Sequence, residues 1–174
     1  MNTANKLTML RVIMIPVFMV ALYLNFPFHN IVALVIFILA SVTDFIDGYI
    51  ARNFNQITDF GKFMDPLADK LLVTAAMLWF VEAGQMPAWA LLVVIAREFA
   101  VSGLRMVAAP KGIVIAAAWS GKIKTASTMV CICIMLVPIP EILNTLCVAV
   151  ILITTVWSGV EYFIKNKAAF TGAV

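Results

Sequence analysis

DFIDGYIARNFNQITDFGKFMDPLAD, residues 44–69, sets the architecture of this chain: two helical patterns flank a polar turn. The first pattern carries Asp44 and Asp47, three positions apart, and the second carries Asp65 and Asp69, four positions apart. At about 100° per residue, each pair lies on one face of its helix. Because the connection is short, the two helices are predicted to be antiparallel neighbours, and the carboxylates of both pairs are expected to converge.

The chain as a whole has the composition of a membrane protein. Of its 174 residues, 64% are hydrophobic and 12% are charged, whereas the apolar share of a soluble protein is about half. Hydrocarbon offers no partner for a free backbone N–H or C=O, so long apolar runs predict helices, which pair these groups internally. We therefore expect an all-α bundle of six transmembrane helices. The bundle is expected to form a single domain, residues 1–174. The predicted spans run roughly from Leu7 to Leu24, Ile31 to Ala51, Phe63 to Val81, Ala88 to Val107, Ile123 to Val137 and Ile142 to Ile164.

Basic residues give the orientation of this bundle. Lys and Arg flank membrane spans on the cytoplasmic side, and the predicted outer connections, residues 25–30, 82–87 and 138–141, contain neither. Both termini and the acidic cluster are therefore expected to face the cytoplasm. The net charge of +3 fits this topology and attraction to anionic lipid better than nucleic-acid binding.

The four converging carboxylates predict a metal centre. In a low dielectric they cannot all stay ionised without cations. A donor set of oxygens alone, with no His or Cys nearby, favours two hard divalent ions, Mg²⁺ or Mn²⁺. Two such ions stabilise an in-line displacement at phosphorus. Ion pairs with Arg52, Lys62 or Lys70, or a cation path through a small transporter, remain alternative explanations of the same aspartates.

The spacing of residues in the stretch 44–69 resembles the signature of the CDP-alcohol phosphatidyltransferase family at every fixed position. Those positions are Asp44, Asp47, Gly48, Ala51, Arg52, Gly61, Asp65 and Asp69. The resemblance implies an enzyme of the bacterial inner (cytoplasmic) membrane that takes a phosphatidyl group from CDP-diacylglycerol and forms a homodimer.

The resemblance also implies a role for each signature residue. The metal ligands are Asp44, Asp47, Asp65 and Asp69, and the nucleotide and diphosphate contacts are Asp47, Gly48, Ala51, Arg52 and Gly61. Asp69 is expected to act as the catalytic base as well as a ligand. Arg52 is expected to bind the diphosphate, which suits a planar guanidinium facing phosphate oxygens.

Three polar residues near the N-terminus, Asn5, Thr8 and Arg11, resemble residues that relatives place beside the nucleotide and the acceptor pocket. Asn5 and Thr8 are equally typical of caps at the start of a helix. The sequence leaves both interpretations open.

Cations in the fourth and fifth spans indicate the acceptor alcohol. Arg97, Arg105 and Lys122 lie within or beside apolar runs, where such charges mark function and favour an anionic acceptor such as a phosphate monoester. The segments AREF, residues 96–99, and GKIKT, residues 121–125, resemble the phosphatidylglycerophosphate synthase branch of the family. That likeness implies sn-glycerol 3-phosphate as the acceptor, with its phosphate held by these three cations.

Other interpretations of these cations stay open. Arg97 could pair with Glu98 or Glu161, and Arg105 could extend its charged end to the membrane surface. Lys122 and Lys124 could simply mark topology. A sister enzyme that accepts inositol phosphate, serine or phosphatidylglycerol would share the signature. A cation transporter would use the aspartates but would give no reason for the spacing of Gly48, Ala51 and Arg52.

Overall fold

The structure of the chain is a computed structural model that describes residues 3–24, 26–53, 59–108 and 118–166, apart from the side chains of 3–6, 45, 47–53, 59–63, 65 and 66. The described secondary structure is helical throughout, so the all-α prediction with six helices is confirmed for these residues. The helices are α1 (Thr3–Tyr23), α2 (His29–Asn53), α3 (Asp59–Glu82), α4 (Ala88–Ala108), α5 (Trp119–Met135) and α6 (Glu141–Lys165).

Proline and glycine define the connections between these helices. Pro140 precedes α6 with φ −57° and ψ 145°, an extended conformation in which its carbonyl accepts the amide of Leu143. Pro87 does the same before α4, where its carbonyl accepts the amide of Ala90. Gly84, just after α3, has φ +73°, a left-handed conformation that glycine adopts without a Cβ clash. Gly84 thus follows the end of α3, and the two prolines precede the starts of α4 and α6.

Contacts between Cα atoms divide the chain into two compact units. Unit 1 comprises Met1–Glu82 with Ile132–Ile139, and unit 2 comprises Ala83–Cys131 with Pro140–Val174. The expectation that residues 1–174 form a single domain stays a prediction.

In unit 1, helix α1 packs against α2 and α3. Phe18 on α1 and Phe37 on α2 are fully buried, with ring centroids 5.9 Å apart. This packing fixes α1 beside the part of α2 that leads to the aspartates.

In unit 2, helix α4 packs against α6, and Val101, Leu104 and Tyr162 form a buried apolar cluster between them. The side-chain amide of Asn144 on α6 donates to the carbonyl of Gln85 just before α4, over 2.6 Å. Gln85, just before α4, thus contacts Asn144 near the start of α6, and Leu104, near the end of α4, lies in the same cluster as Tyr162 near the end of α6. The two helices therefore run parallel. The basic residues of α4 therefore lie beside the second half of α6.

Many large apolar side chains lie on the surface of these helices. Phe99 is 71% exposed and Ile142 is 76% exposed. Within the described residues, α6 is the one helix long and apolar enough to cross a bilayer, while Leu7–Tyr23 and His29–Asp44 are shorter apolar segments. The charged residues within α4 make this helix less suited than α6 to crossing a bilayer. Six spans with cytoplasmic termini stay a prediction.

Candidate active site

The signature aspartates lie on two neighbouring helices of unit 1. Asp44 and Asp47 belong to α2, Asp65 and Asp69 belong to α3, and the two helices contact one another. Asp44 and Asp69 have partly buried side chains, whereas the side chains of the other two lie outside the described part of the chain. No group of three or more potential metal ligands is assembled among the described side chains. The four-carboxylate cluster therefore stays a prediction.

Most of the positions predicted to bind the nucleotide lie on α2. Its helix continues to Asn53, so Asp44, Gly48 and Ala51 follow one another at helical spacing and lie on one face. The side chains of Asn5 and of residues 47–53 and 61 lie outside the described residues, and their predicted roles are untested. Thr8, by contrast, is described, and its side chain is buried within unit 1.

A buried ion pair joins α1 to the first signature aspartate. Arg11 has no solvent exposure, and its Nη1 lies 2.6 Å from Oδ1 of Asp44. Its Nε donates to the carbonyl of Ala40, one turn earlier on α2, over 3.3 Å. A guanidinium buried without a carboxylate would be strongly unfavourable. Asp44 is thus held in place by α1, a role for Arg11 that the sequence did not predict.

A second charged group lies in unit 2, between α4 and α5. One carboxylate oxygen, Oε1 of Glu98, accepts from Nζ of Lys124 over 2.7 Å and from Nη1 of Arg97 over 3.0 Å. The side chains of the three residues are 22%, 7% and 13% exposed, respectively. The open alternative in which Arg97 pairs with Glu98 therefore describes the observed contact. Because two cations share one anion, the group retains a surplus positive charge.

Two glycines lie beside the Arg97 side chain, and one of them approaches it closely. A Cβ at position 159 of α6 would lie 3.2 Å from Cγ of Arg97, closer than side chains normally approach. A Cβ at position 121 of α5 would lie 3.8 Å from its Nη2, an ordinary contact. A side chain at position 159 would therefore require Arg97 to shift by a few tenths of an ångström.

The remaining predicted cations have aromatic neighbours. Nε of Arg105 donates to the hydroxyl of Tyr162 over 2.8 Å, and its guanidinium carbon is 5.6 Å from the ring centroid. Nζ of Lys122 lies 5.0 Å above the ring of Trp119. The lysine of α5 that shares a carboxylate with Arg97 is Lys124, which was not among the predicted site residues. Its place in an apolar run was a signal that the sequence offered, but Lys122 lies in the same segment.

Comparison with known proteins gives the family. The profile of the CDP-alcohol phosphatidyltransferase family matches residues 1–157. The chain belongs to this family. The match includes every signature position as well as Arg97, Arg105 and Lys122, and the family resemblance predicted from residues 44–69 is confirmed.

Individual relatives of the family cover nearly the whole chain. A Bacillus subtilis protein named CDP-diacylglycerol–glycerol-3-phosphate 3-phosphatidyltransferase is 43% identical, over 97% of this chain and 96% of its own length. A Rickettsia felis protein of the same name is 34% identical, over 97% of each chain. A Mycobacterium tuberculosis H37Rv protein named probable phosphatidylglycerophosphate synthase is 39% identical, over 92% of this chain and 79% of its own.

Proposed function

We propose that the chain transfers the phosphatidyl group of CDP-diacylglycerol to sn-glycerol 3-phosphate, giving phosphatidylglycerophosphate and CMP. The observation that carries this proposal is the near full-length likeness to relatives named for that reaction, at up to 43% identity. The surplus positive charge at Arg97, Glu98 and Lys124 adds chemical support, because a buried cationic group suits a phosphate-bearing acceptor.

In the proposed reaction, Asp69 takes the proton of the acceptor's primary hydroxyl. The hydroxyl oxygen attacks the phosphorus attached to diacylglycerol, and the bond from that phosphorus to the CMP oxygen breaks. Arg52 stabilises the negative charge of the departing CMP. The residues predicted from the sequence to hold the phosphate of the acceptor are Arg97, Arg105 and Lys122. The contact between Lys124 and Glu98 beside Arg97 adds this second lysine of α5 to the proposed phosphate site.

Two divalent ions, Mg²⁺ or Mn²⁺, fit the donor set of this site. The proposed ligands are Asp44, Asp47, Asp65 and Asp69, which offer carboxylate oxygens of the kind that hard ions prefer. Bound there, the ions would neutralise the diphosphate of the donor. Among the described ligands, Asp44 is already fixed by Arg11, so at least one carboxylate is positioned by contacts of the protein itself.

A bilayer is the proposed setting of this reaction. The exposed apolar side chains of the described helices and the length of α6 support six spans in a bacterial inner membrane, with both termini and the active site on the cytoplasmic side. The diacyl tails of donor and product then remain in lipid while the soluble acceptor arrives from the cytoplasm. A homodimer is the proposed oligomeric state.

An acceptor assay tests the proposed function. Purified protein is mixed with CDP-diacylglycerol and, separately, glycerol 3-phosphate, inositol phosphate, serine or phosphatidylglycerol, and CMP release is measured. We expect release with glycerol 3-phosphate, its loss with a chelator, and its recovery with Mg²⁺ or Mn²⁺. Release with another acceptor alone identifies a sister enzyme. Metal flux into liposomes without CMP release would identify a transporter.

Gly159→Ala tests the predicted contact between the acceptor phosphate and Arg97. The added methyl displaces the Arg97 side chain, and overpacking of about 1 kcal/mol corresponds to a rise of roughly fivefold in the KM for glycerol 3-phosphate. Gly121→Ala is the matched control, since its methyl meets Arg97 at an ordinary distance. Equal KM values for the two variants and the native protein would show that Arg97 does not bind the acceptor.

A further inference from the structure

The carboxylate of Glu98 is the shared partner of two cations on different helices. Its Oε1 lies 2.7 Å from Nζ of Lys124 on α5 and 3.0 Å from Nη1 of the neighbouring Arg97 on α4. A single oxygen therefore fixes the distance between an ammonium and a guanidinium. Two like charges of this kind would otherwise repel one another.

Burial makes these contacts stronger than a surface ion pair. The Lys124 side chain is 7% exposed and that of Arg97 is 13% exposed, so neither charge can be solvated fully by water. A buried cation that lacks an anion beside it is strongly unfavourable. Glu98 thus stabilises Lys124 in its buried position, close to Arg97.

Arg97 retains hydrogen-bonding capacity in this arrangement. Its Nε is buried and has no hydrogen-bond partner among the described residues. Gly121 and Gly159 flank the side chain without offering a polar side chain of their own. A buried donor normally has a partner, so this Nε is suited to an oxygen supplied by a ligand.

We propose that Glu98 is a positioning residue for the acceptor phosphate: it holds Lys124 and Arg97 in the closely spaced arrangement that binds a phosphate monoester. The proposal rests on the proposed function, since it assumes that the acceptor carries the phosphate. Glu98 acts through the two cations, and its own negative charge keeps it away from the substrate.

The variant Glu98→Gln tests this role. Glutamine has the same shape and keeps an oxygen acceptor, but it lacks the charge that holds both cations. We expect the KM for glycerol 3-phosphate to rise at least about tenfold, with kcat and the KM for CDP-diacylglycerol unchanged within about twofold. Glu98→Asp, which keeps the charge on a shorter side chain, is expected to give an intermediate KM.

Glu141→Gln is the matched control. Glu141 is an exposed carboxylate of unit 2 in the first turn of α6, at the other end of that helix from Gly159, which lies against Arg97. Its loss is expected to leave both KM values unchanged. A rise in the acceptor KM confined to the Glu98 variants therefore supports the positioning role, whereas an equal rise in Glu141→Gln contradicts it.

A double variant covers the case in which Glu98→Gln fails to fold. Glu98→Gln combined with Lys124→Met removes one charge of each sign and avoids an unpaired buried lysine. We expect its acceptor KM to exceed that of Lys124→Met by clearly less than tenfold, because one of the two cations through which Glu98 acts is already gone. Additive effects would contradict the proposal.

The outcomes separate this inference from the function on which it rests. Native protein that releases no CMP with glycerol 3-phosphate overturns the proposed function. Native protein that uses this acceptor, with an unchanged acceptor KM in Glu98→Gln, overturns the role of Glu98 alone. A fall in kcat without a change in KM would assign Glu98 to stability and also overturn it.

Discussion

Asp69→Asn is expected to lower kcat by about 10²- to 10⁴-fold, the usual contribution of a general base. Asparagine cannot take the proton of the acceptor hydroxyl, but it keeps nearly the same volume on α3. Binding of the donor nucleotide should therefore remain detectable. The measurement is CMP release from CDP-diacylglycerol, together with CMP binding to the purified variant by titration.

Asp59→Asn provides the control for this change. Asp59 is the first residue of α3 and lies outside the signature, so its replacement alters charge on the same helix without touching the proposed base. We expect near-native turnover. If Asp69→Asn instead kept more than a tenth of the native rate, the assignment of the base would be wrong.

Asp44→Ala is expected to destabilise the protein more than Arg11→Met, although both changes break the same ion pair. Without Asp44, the fully buried guanidinium of Arg11 loses the carboxylate that lies 2.6 Å from its Nη1, and loss of one partner of a buried ion pair costs up to about 3–5 kcal/mol. Without Arg11, the carboxylate remains reachable by water, because its side chain is 39% exposed. The measurement is the unfolding midpoint of each purified variant in the presence of a chelator, so that metal binding at Asp44 does not contribute.

The double variant Arg11→Met with Asp44→Ala completes this comparison. It leaves neither charge in the interior, so it should be more stable than Asp44→Ala alone. A larger loss of stability in Arg11→Met than in Asp44→Ala would mean that the ion pair does not govern the packing of α1 on α2.

The helices were predictable because apolar runs of sufficient length leave the backbone few alternatives to helical hydrogen bonds. The errors lie at the ends. α5 begins at Trp119, whereas the apolar run suggested Ile123, because its first turn contains Ser120, Gly121 and Lys122, which helical hydrogen bonds accommodate as readily as apolar residues. Hydrophobicity marks what is buried in lipid or core, while hydrogen bonding determines where a helix begins.

The charged contacts were less predictable, because they depend on how helices face one another. Lys122 and Lys124 are two positions apart, and a helix places such residues about 200° apart, on nearly opposite sides. The sequence gives no indication of which side faces α4, and the structure selects Lys124. Arg11 was visible as a charge in an apolar run, but its pairing with Asp44 depends on the register between α1 and α2.

The pair of Arg11 and Asp44 also bears on how the chain is made. A ribosome synthesises α1 before α2, so the arginine is in place when the first signature aspartate emerges. If the helices enter the bilayer in that order, Asp44 can pair with Arg11 as α2 inserts, and its carboxylate does not have to enter hydrocarbon without a counterion. In the proposed membrane setting, the order of residues along the chain would thereby lower the free energy needed to insert the helix that carries the acidic residues.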